Sequence, residues 1–296
     1  QNWDSLLTDL ISTSLNLDKA LQAKNMTVLE MVKKGEDFFI SLGLEPMTPQ
    51  FWKYSQIKRP SNDSHTTCHG TAANMFFDDD YRMLMCADVN IDDFYIMHHE
   101  MGHIQYYMSY KFQPPIFQDG ANSAFQEAIG DAIMLGVSTP QHLQRLGLID
   151  NADPSADLDI PLLLRQALNK LPQLAFGLIV DKWRWKVMNG EILPSDYNTA
   201  WWKLREEYQG VTPPIPRSAL DFDPAAKFHI ADNTPYIRYF LSSILQMQFF
   251  EAMCQISVFG EVGQKTLPLP LHRCDIYGSK AAGNKLLDMM KLGTSK

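Results

Sequence analysis

A mainly α protein is predicted from three observations on the 296-residue chain. Apolar residues recur at helical spacing through several long segments. Capping residues and helix-starting prolines stand at the head of some of them. Strand signal, by contrast, is sparse, and Arg82–Cys86 is the best short candidate.

Taken in order, Thr27–Leu42 carries Val28, Met31, Val32, Phe38 and Phe39 at helical spacing. Helices are also expected over Ile91–Tyr110 and Ala121–Val137. Asp157–Asn189 is a long apolar-periodic stretch that Pro161 and Pro172 should start or kink. Ser195–Tyr208 opens on a serine cap and is rich in Trp. Pro235–Ser257 has Thr234 as cap and Pro235 at the first helical position. Ser279–Leu292 closes the chain. Loops are expected at Pro114-Pro115, from Pro213 to Pro216 and from Gly260 to Pro270. No internal repeat or linker divides the sequence, so residues 1–296 are read as a single domain.

The hydrophobic fraction of 45% is ordinary for a globular protein able to bury a large core. A net charge of −8 without any Lys/Arg block argues against a nucleic-acid partner. No apolar run is long enough for a membrane segment, and the polar start at Gln1 lacks the basic n-region of a signal peptide. Four cysteines allow three pairings. Sequential pairing, Cys68 with Cys86 and Cys254 with Cys274, is the economical one; four buried thiols are the alternative. Two glycosylation sequons, at Asn25 and Asn62, lean towards an oxidising, extracellular compartment.

The chemistry concentrates in His99-Glu100-Met101-Gly102-His103 and Glu127-Ala-Ile-Gly-Asp131. Histidines four apart share one face of a helix, a turn apart, and reach one Zn²⁺. Glu100 can hydrogen-bond a water on that metal without ligating it. Glu127, from a second helix, completes three protein ligands, and an open fourth position marks a catalytic rather than a structural site. Asp131, one turn on, suits a partner for a ligand histidine, the alternative being a surface carboxylate. A chance pattern on a solvated helix is the competing explanation for the pair of histidines.

His98-His-Glu-Met-Gly-His-Ile-Gln-Tyr106, Gly120-Ala-Asn122 and Glu127–Asp131 resemble the angiotensin-converting enzyme family of zinc peptidases. So do Trp183-Arg-Trp185, Trp201-Trp202, Lys227-Phe-His229, Pro235-Tyr-Ile-Arg-Tyr239 and Cys274-Asp-Ile-Tyr277. The matches run in order along the whole chain, and the longer loop before Cys274 is closer to invertebrate members. The resemblance implies a helical zinc-peptidase fold of which only the C-terminal half of the two-lobed cleft is present. A lid half or a partner chain is then expected to cover the rest.

Residue by residue, the resemblance implies His99, His103 and Glu127 as zinc ligands, Glu100 as general base and then acid, and Asp131 as the residue orienting a ligand imidazole. His229 and Tyr239 match donors to the tetrahedral oxyanion. Gln1, Lys227 and Tyr236 match the trio gripping the substrate's C-terminal carboxylate, which belongs to the dipeptide-releasing branch. The single-residue carboxypeptidase branch carries Arg at the Gln1 position and lacks the other two. His69 matches the family histidine that contacts the penultimate residue of the peptide, and Gly70 would lend backbone hydrogen bonds beside it. Arg238, and Trp201 with Arg205, match chloride-binding residues, so chloride is the expected activator. The implied substrates are oligopeptides with a free C-terminus, and the implied setting is secreted, or the ectodomain of a membrane-anchored protein. Three departures stand out: Gln126 where the family has His, Ala73-Asn74 where it has Trp-Asp, and Phe250 where vertebrate members have His. None of them removes a ligand, the base or an oxyanion donor, but the missing half and Gln126 leave an alternative function, a shortened, weakly active or inactive homologue that binds peptides or a protein partner.

Overall fold

Capping side chains delimit most of the helices before any packing is considered. The computed structural model describes residues 3, 6, 15–61, 66, 68–263 and 266–295; Gln1, Asn62 and His65 lie outside them. Among the described residues the protein is mainly α, with one short antiparallel hairpin. The chain forms two compact units, a first one of Ser14–Leu158 with Leu245–Lys296 and a second one of Gln1–Thr13 with Asp159–Ile244.

In the first unit, α1 (Leu17–Ala23) starts at Asn16, whose side chain accepts from the Lys19 N–H. A reciprocal capping box between Thr27 and Glu30 starts α2 (Val28–Ser41). Thr48 caps the short α3 (Pro49–Tyr54), with Pro49 at its first position. β1 (Thr71–Asn74) pairs antiparallel with β2 (Tyr81–Leu84), Thr71 opposite Leu84. The expected strand Arg82–Cys86 therefore begins and ends earlier, and β1 was not legible because Thr-Ala-Ala-Asn lacks β-branched alternation. The cysteines pair sequentially, Cys68 with Cys86 and Cys254 with Cys274.

The motif helix α4 (Ile91–Ser109) is held firmly at its N-terminus. Asn90 accepts from the Asp93 N–H, Asp92 and Asp93 complement the helix dipole, and the Ile91 N–H donates to Asp18 of α1 at 2.7 Å. Phe94, Met97, Met101 and Ile104 are buried on it. Gln105, also buried, donates to the Glu45 carbonyl at 2.7 Å. α5 (Ser123–Val137) begins two residues later than expected, because Asn122 accepts from the N–H groups of Ala124 and Phe125. α6 (Pro140–Arg145) repeats the Thr-Pro start seen in α3, with Thr139 as cap.

α7 (Ala156–Met188) runs through both Pro161 and Pro172. Most of it lies in the second unit. α8 (Tyr197–Gln209) ends where Gly210 takes the left-handed conformation, φ 65°. Its expected cap, Ser195, instead sits in a 3₁₀ turn, Pro194–Asp196. After the single-turn α9 (Phe228–Ala231), α10 (Ile237–Phe259) starts two residues beyond Pro235. Its first amides are satisfied by a distant group: Asp181 of α7 accepts from the N–H of Tyr236 at 2.7 Å and of Ile237 at 2.6 Å. The core of this unit is Phe176, Ile179, Val180, Trp183, Trp201, Leu204 and Tyr236. α11 (Lys280–Met290), back in the first unit, is capped by Ser279.

Two histidines without metal-site roles are buried around Phe38, His98 at 6.1 Å and His142 at 5.0 Å between ring centroids. His98 is structural: it is fully buried and its Nδ1 lies 2.7 Å from the Phe94 carbonyl. Burial, then the charges of His98, Arg145 and Lys34, push His142 down to about 3. The unfolded chain thus takes up a proton at His142 as the pH falls through about 6.5, before the folded protein does. Stability from this group is complete above that pH and lost as the pH falls from there towards 3. His142→Leu is expected to flatten the acid limb of stability between about pH 4 and 6 by up to about 1.4 kcal/mol per pH unit, read from urea unfolding at a series of pH values.

Candidate metal centre

α4 and α5 meet backbone to backbone at two glycines. A Cβ on Gly102 would lie 2.9 Å from the Cα of Gly130, and a Cβ on Gly130 would lie 2.7 Å from both Nδ1 and O of His99. Neither helix could come this close with any larger residue, and the closeness lets α5 carboxylates reach α4 imidazoles.

Three donor atoms converge there. His99 Nε2 and His103 Nε2 are 3.1 Å apart, and Glu127 Oε2 lies 3.2 Å from the first and 3.7 Å from the second. Ligands about 2.0–2.1 Å from a tetrahedral ion stand about 3.3–3.4 Å from one another, so the triangle fits one Zn²⁺. The other ring nitrogens fix the tautomers. His99 Nδ1 donates to Asp131 Oδ1 at 3.2 Å, and His103 Nδ1 donates to Gln126 Oε1 at 3.3 Å. Both Nε2 atoms are then left facing the same point, as ligation of a single cation requires.

Electrostatics agree with the geometry. Burial disfavours a charged His99, but Asp131 and Glu127 outweigh it and hold this imidazole well above the ordinary histidine value. Burial likewise opposes the Glu127 carboxylate, yet His99 and His103 bring it down to about 2. The cluster is an anionic pocket that favours positive charge. Asp131 is 5% exposed, which removes the surface-carboxylate alternative. Glu100, on the same helix between the two histidines, is 7% exposed. Gly70 adjoins it, since a Cβ there would lie 3.0 Å from Glu100 Oε1. His69 Nδ1 stands 3.4 Å from Thr71 Oγ1.

The second unit gathers another set of the expected residues. His229 Nε2 and Tyr239 OH share a 2.9 Å hydrogen bond. The Tyr236 ring packs against His229 at 4.9 Å and Tyr239 at 4.5 Å, and Lys227 Nζ lies 5.2 Å from its centroid. Burial lowers the Lys227 pKa. A cavity of about 370 Å³ is lined by Phe176, Trp201, Trp202, Arg205, Asp223, Ala226 and Lys227. The Arg205 guanidinium sits 5.2 Å from the Phe176 ring, and its Nε is buried without a hydrogen-bond partner. Arg238 donates from Nε to the Pro235 carbonyl at 3.0 Å. Asn25 is exposed at a left-handed turn, φ 50°, after α1.

Sequence reasoning missed four contributors. Gln126 registered as a departure, not as the partner of His103. Gly130 stands one turn beyond Gln126 on the same face, a small-residue signal for close helix contact. Asp181 and Arg184 hold the chain entering α10, Arg184 donating to the Thr234 carbonyl and, at 2.7 Å, to Asn233. No local pattern announces that anchor.

A mainly helical chain with an H-E-x-x-H helix crossed by a carboxylate-bearing helix falls in the class of helical H-E-x-x-H metal centres. A family model described as Angiotensin-converting enzyme matches residues 1–296. Proteins named angiotensin-converting enzyme are similar to it: that of Bos taurus is 44% identical over 301 positions, covering all of this chain and 22% of the relative. That of Haematobia irritans exigua is 40% identical over all of this chain and 49% of the relative. That of Theromyzon tessulatum is 43% identical over 95% of this chain and 44% of the relative. The chain belongs to the angiotensin-converting enzyme family. It spans about a fifth of the length of the Bos taurus relative and about half that of the other two.

Gly130→Ala is expected to push His99 off the ligand triangle, lowering zinc affinity at least about tenfold and stability by about 1–3 kcal/mol. Chelator competition and thermal unfolding measure the two effects. Wild-type zinc affinity in this variant would contradict the close-approach account.

Proposed function

We propose that the chain is a partial catalytic domain of a zinc metallopeptidase that releases dipeptides from the free C-terminus of oligopeptides. The observation carrying this reading is the convergence of His99 Nε2, His103 Nε2 and Glu127 Oε2 with both Nδ1 atoms tied down behind them. These three side chains would hold the zinc. When bound, it supplies Lewis-acid polarisation of the scissile carbonyl and makes water a competent nucleophile near neutral pH.

The chain's own groups do the rest. Glu100 takes the proton from the attacking water and returns it to the leaving amine. The pairing of Tyr239 with His229 supports a role as donors to the developing oxyanion. Lys227 and Tyr236, with Gln1, hold the terminal carboxylate of the substrate as ammonium, phenol and amide donors. Burial of Lys227 strengthens such an ion pair by excluding water. His69 and Gly70 meet the peptide near the scissile bond. The buried, unpartnered Arg205 Nε beside Trp201 supports chloride as activator there, and Arg238 is the second chloride candidate.

Two disulfides support an oxidising, extracellular setting, and exposed Asn25 is open to glycosylation. Among the described residues no helix is long and apolar enough to cross a membrane. Leu241, Ile244 and Met247 form an exposed apolar row three residues apart on α10, which supports a lid half or partner chain covering this helix.

A blocked tripeptide assayed with and without chelator tests the reading. The expected product is the C-terminal dipeptide, lost with metal removal; a free single amino acid would point to the carboxypeptidase branch instead. Glu100→Gln is expected to keep zinc and lose activity by about 10²–10⁴-fold. Lys227→Met is expected to raise KM about tenfold or more with a smaller change in kcat. Full zinc occupancy with no turnover would leave a peptide- or protein-binding module.

A further inference from the structure

The two candidate ligand imidazoles are backed by different chemistry. Behind His99 stands the Asp131 carboxylate; behind His103 stands the neutral amide of Gln126. We propose that Gln126 is a positioning residue for the metal site, its side-chain carbonyl fixing the tautomer and ring orientation of His103. This assignment rests on the zinc reading above.

Three observations carry it. Gln126 is 8% exposed, and its Oε1 lies 3.3 Å from His103 Nδ1. A histidine that ligates through Nε2 carries its proton on Nδ1 and needs an acceptor behind it, so the amide must present oxygen rather than nitrogen to the ring. The Gln126 side chain is also built into place. It lies over Gly120, where a Cβ would come within 2.7 Å of Gln126 Cγ and 3.3 Å of Cδ. The next residue is tethered, the Ala121 N–H donating to the buried Tyr106 hydroxyl at 3.1 Å. No residue larger than glycine at 120 leaves this path open.

The electrostatic consequence follows. Glu127 and Asp131 already set two negative charges against one divalent ion. An amide orients His103 without adding another negative charge, whereas a carboxylate at 126 would orient it and add one.

The test measures the zinc dissociation constant of the full chain by chelator competition, with far-UV circular dichroism confirming the fold of each variant. Gln126→Leu keeps the bulk and removes the acceptor; its zinc affinity is expected to fall about 10–100-fold. Gln126→Glu restores an acceptor and is expected to bind zinc at least as tightly as the wild type. Absorption of the cobalt-loaded proteins supplies a second readout, expected to change for Gln126→Leu. Wild-type affinity in Gln126→Leu overturns the assignment, as does an equal loss in Gln126→Glu, which keeps both the shape and an acceptor oxygen. Should Gln126→Leu not fold, Gly120→Ala carries the same test, because it displaces the amide while keeping it; unchanged affinity there overturns the assignment too. A wild-type chain that binds no zinc removes the metal reading and this assignment together, whereas zinc-binding wild type with an indifferent Gln126→Leu removes this assignment alone.

Discussion

The approach of α4 to α5 at Gly102 and Gly130 is the constraint on which the candidate centre depends. Each glycine omits a Cβ that would strike the other helix: its Cα in one case, the His99 ring and carbonyl in the other. Helix axes ordinarily stand 8–10 Å apart, set by the side chains between them. With none between them here, Glu127 and Asp131 reach His99 without long linkers, and short side chains in fixed rotamers hold a ligand triangle more rigidly than long ones. Other features of the first unit hold α4 still for this purpose. Asp18 satisfies its first amide, and Gln105 pins its later turns to the Glu45 carbonyl.

Burial makes the polar centre both costly and decisive. Glu100, Glu127 and Asp131 are all nearly buried, and an isolated buried carboxylate is strongly disfavoured. The first-unit site resolves this by mutual satisfaction: carboxylate with imidazole, imidazole with amide. In the second unit the same physics appears in another form. A partly buried lysine stands over a tyrosine ring, and an arginine lies among Phe176, Trp201 and Trp202 with one donor unspent. Cations desolvated in this way interact strongly with any anion that reaches them.

Legibility in the sequence tracked the range of the interaction responsible. The α2 helix was readable because Thr27 and Glu30 cap it from three residues apart. The helices α3 and α6 announce themselves through Thr48-Pro49 and Thr139-Pro140, but six residues are too few for periodicity to register. The start of α10 was misread at Pro235 because its amides are satisfied by Asp181, 55 residues away from Tyr236. β1 carries no strand signal of its own and exists by pairing with β2. Asp131 could be placed beside Glu127 because a one-turn offset follows from helix geometry alone.

By itself the sequence determined the helical class, the placement of His99, Glu100 and His103 on one face, and Glu127 and Asp131 on another, since residues three and four apart are neighbours on any α-helix. Tertiary structure alone decided that the two faces meet, which imidazole each backing group serves, and that Gln126 is one of them. Those outcomes depend on the distance between backbones and on one side chain folding back over Gly120. Helical periodicity encodes direction around an axis but carries no information about the separation of one axis from the next.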